Sequence, residues 1–156
     1  MPADPTIRCR ILYVTDSDAD YRLFIELMQP DRYFSIERAT RGVTALDELP
    51  KRGRADLPNL ILTRWLLPSM TGAEFVGRLK ADPKLRMIPV ILLGADLTPE
   101  EVDEGYAAGV ACVLPKPFDL DGLKDVCKSI KAFWVSVARL PLCDSLPQPS
   151  DGGNVG

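Results

Sequence analysis

The sequence predicts an α/β fold, a five-stranded parallel sheet with helices on both faces. Three observations predict it. Short unbroken apolar runs of β-formers recur along the chain, as strands buried on both faces require. Between them lie segments whose apolar residues step by three and four, the helical period. Proline and glycine separate the two patterns at intervals of about one element. With 156 residues, the chain has the length of one domain and can bury a substantial core without staples.

The elements follow in order. Ile11 to Val14 is an apolar run and reads as the first strand. Asp18 to Met28 carries Leu23, Phe24, Leu27 and Met28 at helical spacing and is closed by Pro30. Phe34-Ser35-Ile36 alternates as a second strand, and Gly42 to Leu49 reads as a helix ended by Pro50. A polar loop, PKRGRADLP, leads to the third strand at Leu60-Ile61-Leu62. Thr71-Gly72-Ala73-Glu74 then has the capping-box pattern, in which the Thr hydroxyl and the Glu carboxylate each satisfy an orphan N–H. Pro89 to Leu93 is the fourth strand. Thr98-Pro99-Glu100-Glu101 repeats the box with proline at the first helical position, and Gly109 stops that helix. Ala111 to Leu114 is the fifth strand, and Asp119 opens a last helix reaching about Arg139.

Composition excludes several functions. The 22 acidic and 19 basic side chains give a net charge of −3, which argues against a grip on nucleic acid. No apolar run reaches the roughly 18–20 residues that span a bilayer, and the start MPADPTIRCR has no apolar signal core. A cytoplasmic protein without membrane contact is expected. There is no histidine, which removes His-based acid–base catalysis, the His-dependent nucleophile systems and the commonest zinc ligand. Cys9, Cys112, Cys127 and Cys143 form no CxxC pair and carry little evidence for disulfides.

In an open α/β sheet, ligands sit beyond the carboxyl ends of the strands. Those ends offer Thr15 and Asp16, then Thr63 and Arg64, then Gly94, then Lys116-Pro117. The turn VTDSDAD holds no glycine, which weighs against a dinucleotide or nucleotide phosphate loop.

Four segments carry a family resemblance: ILYVTDSDAD, PNLILTRWLLPSMTGAEFVGRLK, IPVILLGA and LPKPFD. In this order they resemble a response-regulator receiver (CheY-like) domain over residues 8–139. The stretch KADPKLRMIPV and the ending SIKAFWVSVARLP, with Phe133-Trp134, resemble in particular the single-domain receivers that serve phytochromes. The resemblance implies a flavodoxin-like (βα)5 fold. It also implies an acidic pair for Mg²⁺ after the first strand and a phosphoacceptor Asp after the third. A Ser or Thr after the fourth strand, a Lys after the fifth and a reporter aromatic before that Lys complete the set.

Carried over, the set is depleted. Thr15 replaces the first acid and only Asp16 remains. The acceptor position holds Arg64, the Ser/Thr position Gly94 and the reporter position Val113. Lys116 survives, and the resemblance implies a cis bond to Pro117. A guanidinium cannot form an acyl phosphate and places a permanent cation where the metal would sit. With one carboxylate, Asp16, kept only as a relic, no metal and no other cofactor are expected. Thr63 points to the opposite face and does not replace Arg64.

Arg64 is expected within hydrogen-bonding distance of Asp16, one planar fork holding the carboxylate bidentately in place of Mg²⁺. The plainer alternative for Arg64 is a solvated surface charge, and for Asp16 a helix-start residue. Lys116 reads either as functional or as a structural partner of Asp16. Asp18 and Asp20 read as the solvated first turn of a helix.

The last helix carries two apolar stripes. Leu120, Leu123, Cys127, Ile130, Trp134 and Val137 read as the core stripe, with Cys127 a small buried hydrophobe. Val126, Ile130, Phe133, Val137 and Leu140 read as a second, for a dimer or partner surface, with packing back on the domain as the alternative. The expected division is a flexible start at 1–7, the domain at 8–140 and a disordered tail at 141–156, rich in Pro, Gly and Ser.

These readings favour a non-enzymatic pseudo-receiver, a phosphorylation-independent interaction module of two-component signalling that forms a constitutive homodimer. The expected partner is a protein such as a sensor histidine kinase or a phytochrome-type kinase. The rival is an active receiver taking a phosphoryl group from a histidine kinase at a non-standard acceptor such as Asp16. A weaker third reading is an anion sensor in which Gly94 opens a pocket beside Arg64 and Lys116.

Overall fold

A computed structural model describes residues 9–142. β1 is Cys9–Val14, α1 Asp18–Met28, β2 Phe34–Ala39 and α2 Gly42–Glu48. β3, Leu60–Arg64, is followed by a small hairpin of β4 (Leu66–Leu67) and β5 (Met70–Thr71). Then come α3 (Gly72–Ala81), β6 (Val90–Gly94), α4 (Pro99–Ala108), β7 (Cys112–Pro115) and α5 (Leu120–Ser129). The main sheet has five strands in the order β2-β1-β3-β6-β7, and every neighbouring pair is parallel. This is the flavodoxin-like (βα)5 architecture that the resemblance implies.

Alternation along the strands divides the core between the two faces of the sheet. Leu12, Val14, Ile61 and Leu92 pack with Ala45 of α2, Phe75, Val76 and Leu79 of α3, and Val110. Ile11, Tyr13, Leu60, Leu62, Ile91 and Leu93 pack with Phe24 and Met28 of α1 and Cys127 of α5. Both faces are covered, which is why β3 and β6 read as unbroken apolar runs rather than alternating ones.

Helix starts follow the capping residues. Ser17, Thr71, Thr98 and Asp119 each accept a hydrogen bond from a backbone N–H of the first turn. The full reciprocal box forms at Thr98–Glu101. At Thr71 the hydroxyl half is made to Glu74 N–H, while Thr71 itself is paired with Leu66 across the hairpin. Gly109 closes α4 with φ 115°, a left-handed setting that glycine adopts without Cβ strain.

The last helix corrects the expectation. α5 ends at Ser129, and Ile130–Val135 forms a π turn. Ser136 N–H donates to Lys131 O at 3.1 Å and Ala138 N–H to Phe133 O at 2.6 Å, both five residues back. The wider turn rotates the side chains after Ile130 out of the 3.6-residue register, so neither stripe survives whole. Ile130 is 1% exposed and belongs to the core, whereas Phe133 is 54% and Val137 69% exposed. Val126, Trp134 and Leu140 are half-buried against the α1–α5 face of the sheet, and Leu120 is exposed.

The C-terminal boundary also moves. The buried Asn59 accepts from Arg10 N–H at 2.7 Å, and its amide donates to Pro141 O at 3.0 Å. Leu142 is buried in the α2–α4 face of the core. Pro141 and Leu142 therefore belong to the packed domain, because Asn59 ties the returning chain to the start of β1. The expected flexible start at 1–7 and the rest of the tail lie outside the described residues.

Candidate functional site

The carboxyl ends of β1, β3, β6 and β7 converge at one end of the sheet, where the order turns from β1 outward in both directions. Ligand crevices of open α/β sheets form at such a point. The topology brings Thr15, Asp16, Arg64, Gly94 and Lys116 to this end.

Thr15 is fully buried and knotted into the backbone. Its N–H donates to Ala39 O at 2.9 Å, and its Oγ1 accepts from Ser17 N–H at 3.1 Å. Its carbonyl accepts from Arg38 Nε at 3.0 Å. Arg38 also pairs with Asp18, and that hydrogen bond holds the Asp18 carboxyl below the usual carboxylate range. Asp18 is thus paired as well as solvated.

Arg64 leaves the end of β3 and reaches toward α1. Its Nη1 donates to Asp16 Oδ1 at 3.0 Å, and its Nε lies 3.6 Å from Asp20 Oδ2. The expected bidentate grip on one carboxylate is replaced by a bridge across two. Lys116 Nζ stands 2.5 Å from Asp20 Oδ2, so the lysine pairs with Asp20 and not with Asp16. The reason lies in α1: Asp20 sits a turn beyond Asp16, and its N–H is fixed by the Ser17 cap at 3.1 Å. The side chain of Asp20 is 21% exposed against 50% for Asp16. Asp20, read as a solvated helix-start residue, is the centre of the network. Asp16 precedes the Ser17 cap and lies outside α1, so no helical spacing linked the two acids in the sequence.

Two acids and two bases therefore neutralise one another, and each acid already has a cationic partner. A hard dication needs free carboxylate or carbonyl oxygens in number. The donor set at this end does not fit Mg²⁺: Thr15 is committed to the backbone and a guanidinium lies over Asp16.

Behind the network, Tyr13 is buried, and burial, helped by the nearby Asp20 charge, pushes its phenol well above the ordinary range. Thr63 is buried on the far side of its strand and donates to Arg64 O at 3.1 Å. Gly94 is covered by Leu97, whose side chain fills the space a Cβ at 94 would need. Val113 is half-buried against the α2–α4 face, and its N–H donates to the Tyr106 hydroxyl at 3.1 Å. Every peptide bond among the described residues is trans, the Lys116–Pro117 bond included, which corrects the implied cis bond. Cys127 is buried, and burial pushes its thiol up to about 11.

Two clefts flank Lys116. One, of about 340 Å³, runs between α1 and the β7–α5 loop and is lined by Leu23, Phe24, Phe118 and Leu120. The other, of about 270 Å³, is lined by Arg64, Trp65, Leu97 and Glu101.

The fold and the placement of these strand-end residues define a class of signalling domain. The chain belongs to the response regulator receiver domain family, which it matches over residues 11–128. Among its relatives, the response regulator Rcp1 of Synechocystis sp. is 34% identical over 137 residues, covering 84% of this chain and 92% of the relative. The chemotaxis protein CheY-3 of Vibrio cholerae is 31% identical over 116 residues, 74% of this chain and 86% of the relative. Among solved structures, the phosphorylated cyanobacterial phytochrome response regulator RcpA superposes with a TM-score of 0.78. It is 31% identical and covers 86% of this chain and 99% of that one. The Mn²⁺-bound form of Rcp1 gives a TM-score of 0.76 at 31% identity, with 85% and 99% coverage.

Proposed function

We propose that this receiver works without phosphorylation, as a cytoplasmic, non-enzymatic interaction module in two-component signalling. One observation carries the reading: Arg64 lies between Asp16 and Asp20, with Lys116 on Asp20. In a phosphorylating receiver, Mg²⁺ and the phosphoryl group supply the charges that draw the strand ends together. Here the chain's own side chains supply both signs permanently. A phosphoryl group on Asp16 would have to displace Arg64 and would find no hydroxyl at Gly94. The partner is a protein, in keeping with a sensor histidine kinase or phytochrome-type kinase, given the likeness to Rcp1 and RcpA.

The module also forms a homodimer through α4, β7, α5 and the segment from the π turn to Leu140. Phe133 and Val137 supply exposed apolar area, with Val126 and Leu140 half-buried beside them. Charge complements it. Exposed Glu100, Asp103 and Glu104 lie on α4, and exposed Lys124 and Lys128 on α5. Two copies related by a two-fold axis can set each α4 against the other's α5. Truncating a buried aromatic at an interface centre typically costs about 2 kcal/mol or more. Size-exclusion chromatography with light scattering should show a dimer at micromolar concentrations, unchanged by acetyl phosphate and Mg²⁺. Phe133→Asp should run as a folded monomer. A monomeric wild type, or one that dimerises only with the phosphodonor, would overturn the proposal.

A further inference from the structure

We infer that Leu97 is an internal wedge that holds the β6–α4 loop and the first turn of α4 in one setting. A Cβ built on Gly94 would overlap Leu97 Cγ and Cδ1 and stand 2.9 Å from Cδ2. Real Cβ atoms do not approach that closely, so the leucine occupies the volume that any side chain at 94 would take. Leu97 is not loosely draped there. It packs against the α2–α4 face of the core, and the residue before it, Asp96, adopts φ 52°. An aspartate tolerates that left-handed setting, but holding it needs support from both sides.

The support is present. Upstream, Gly94 is fixed in the sheet by its pairing with Pro115 and by Lys116 N–H donating to its carbonyl at 3.0 Å. Downstream, Thr98 is held by both halves of its capping box. Ala95, Asp96 and Leu97 thus bridge two fixed points with the leucine turned inward. A second tie lies further along α4, where the Tyr106 hydroxyl accepts from Val113 N–H. The wedge and this tie together fix the angle at which α4 presents Glu100, Asp103 and Glu104.

This inference deepens the phosphorylation-independent reading, since a wedged loop presents one α4–β7 face at all times. It is tested separately from it, on amide hydrogen exchange of residues 95–102 in the full chain. Overpacking a filled site opens it by about tenfold or more. Gly94→Ser should raise exchange in this segment by about that factor in the wild-type background. With Leu97→Ala already in place, the same substitution should change exchange by less than about threefold, because the volume is vacant. Gly94→Ala, one methyl, repeats the comparison should the serine variant fold poorly. An equal factor in both backgrounds, or no effect of either 94 variant, would overturn the wedge. A chain that accepted a phosphoryl group while keeping this coupling would overturn only the proposed function.

Discussion

Ile130→Asp is expected to destabilise the fold by about 3–5 kcal/mol, a large share of the roughly 5–15 kcal/mol that holds a domain of this size together. Ile130 is 1% exposed and closes the α1–α5 face of the core against Met28, Phe34 and Leu60. The substitution removes its packed volume and puts a carboxylate where the surrounding cluster offers only apolar neighbours. In thermal unfolding the midpoint should fall by about 10 °C or more. The sequence pattern alone placed Ile130 in both stripes, and in the second the same substitution would split a dimer and leave each copy folded. A variant within about 1 kcal/mol of wild type would return Ile130 to the surface.

The second large effect is expected at Asp20. Asp20→Ala takes away the carboxylate that Lys116 and Arg64 share, leaving both cations, each about a quarter exposed, to face one another. The pair lies between a surface ion pair, worth up to about 1 kcal/mol, and a buried one, whose breaking costs about 3–5 kcal/mol. A loss of about 2 kcal/mol in urea unfolding is expected. Asp16→Ala, at a half-exposed partner of Arg64 alone, should cost under about 1 kcal/mol. The order matters more than either figure: a larger loss at Asp16 would place the centre of the network at Asp16 instead.

Much of this molecule was legible in the chain. The strands showed as apolar runs because both faces of a parallel sheet are buried. α3, α4 and α5 showed at their starts, since Thr71, Thr98 and Asp119 are local capping signals that need no tertiary context, whereas the cap of α1 is Ser17 and not Asp16. That Thr15, Arg64, Gly94 and Lys116 come to one end of the sheet was readable because each ends or closely follows an apolar run.

The missed features depend on tertiary contacts. Asp20 pairs with Lys116 across 96 residues of sequence, and no local pattern separates it from its solvated neighbour Asp18. Leu97 reads as an ordinary loop leucine until the vacancy over Gly94 is set beside it. The π turn at Ile130–Val135 carries no punctuation in IKAFWV, so a 3.6-residue count ran on into Phe133 and Val137 and drew two stripes where the fold has a core residue and an exposed pair. Asn59, polar at the head of an apolar strand, offered only its residue type as a hint of the bond to Pro141.

The central claim, that Arg64 and its partners take the place of phosphoryl chemistry, is tested most directly by intact mass. The full chain is incubated with acetyl phosphate and Mg²⁺, and its mass is compared with that of an untreated sample. The account predicts an unchanged mass for wild type, and for Arg64→Asp at most partial labelling, because Gly94 and Thr15 still lack the groups the chemistry needs. A gain of one phosphoryl group on the wild-type chain would contradict it.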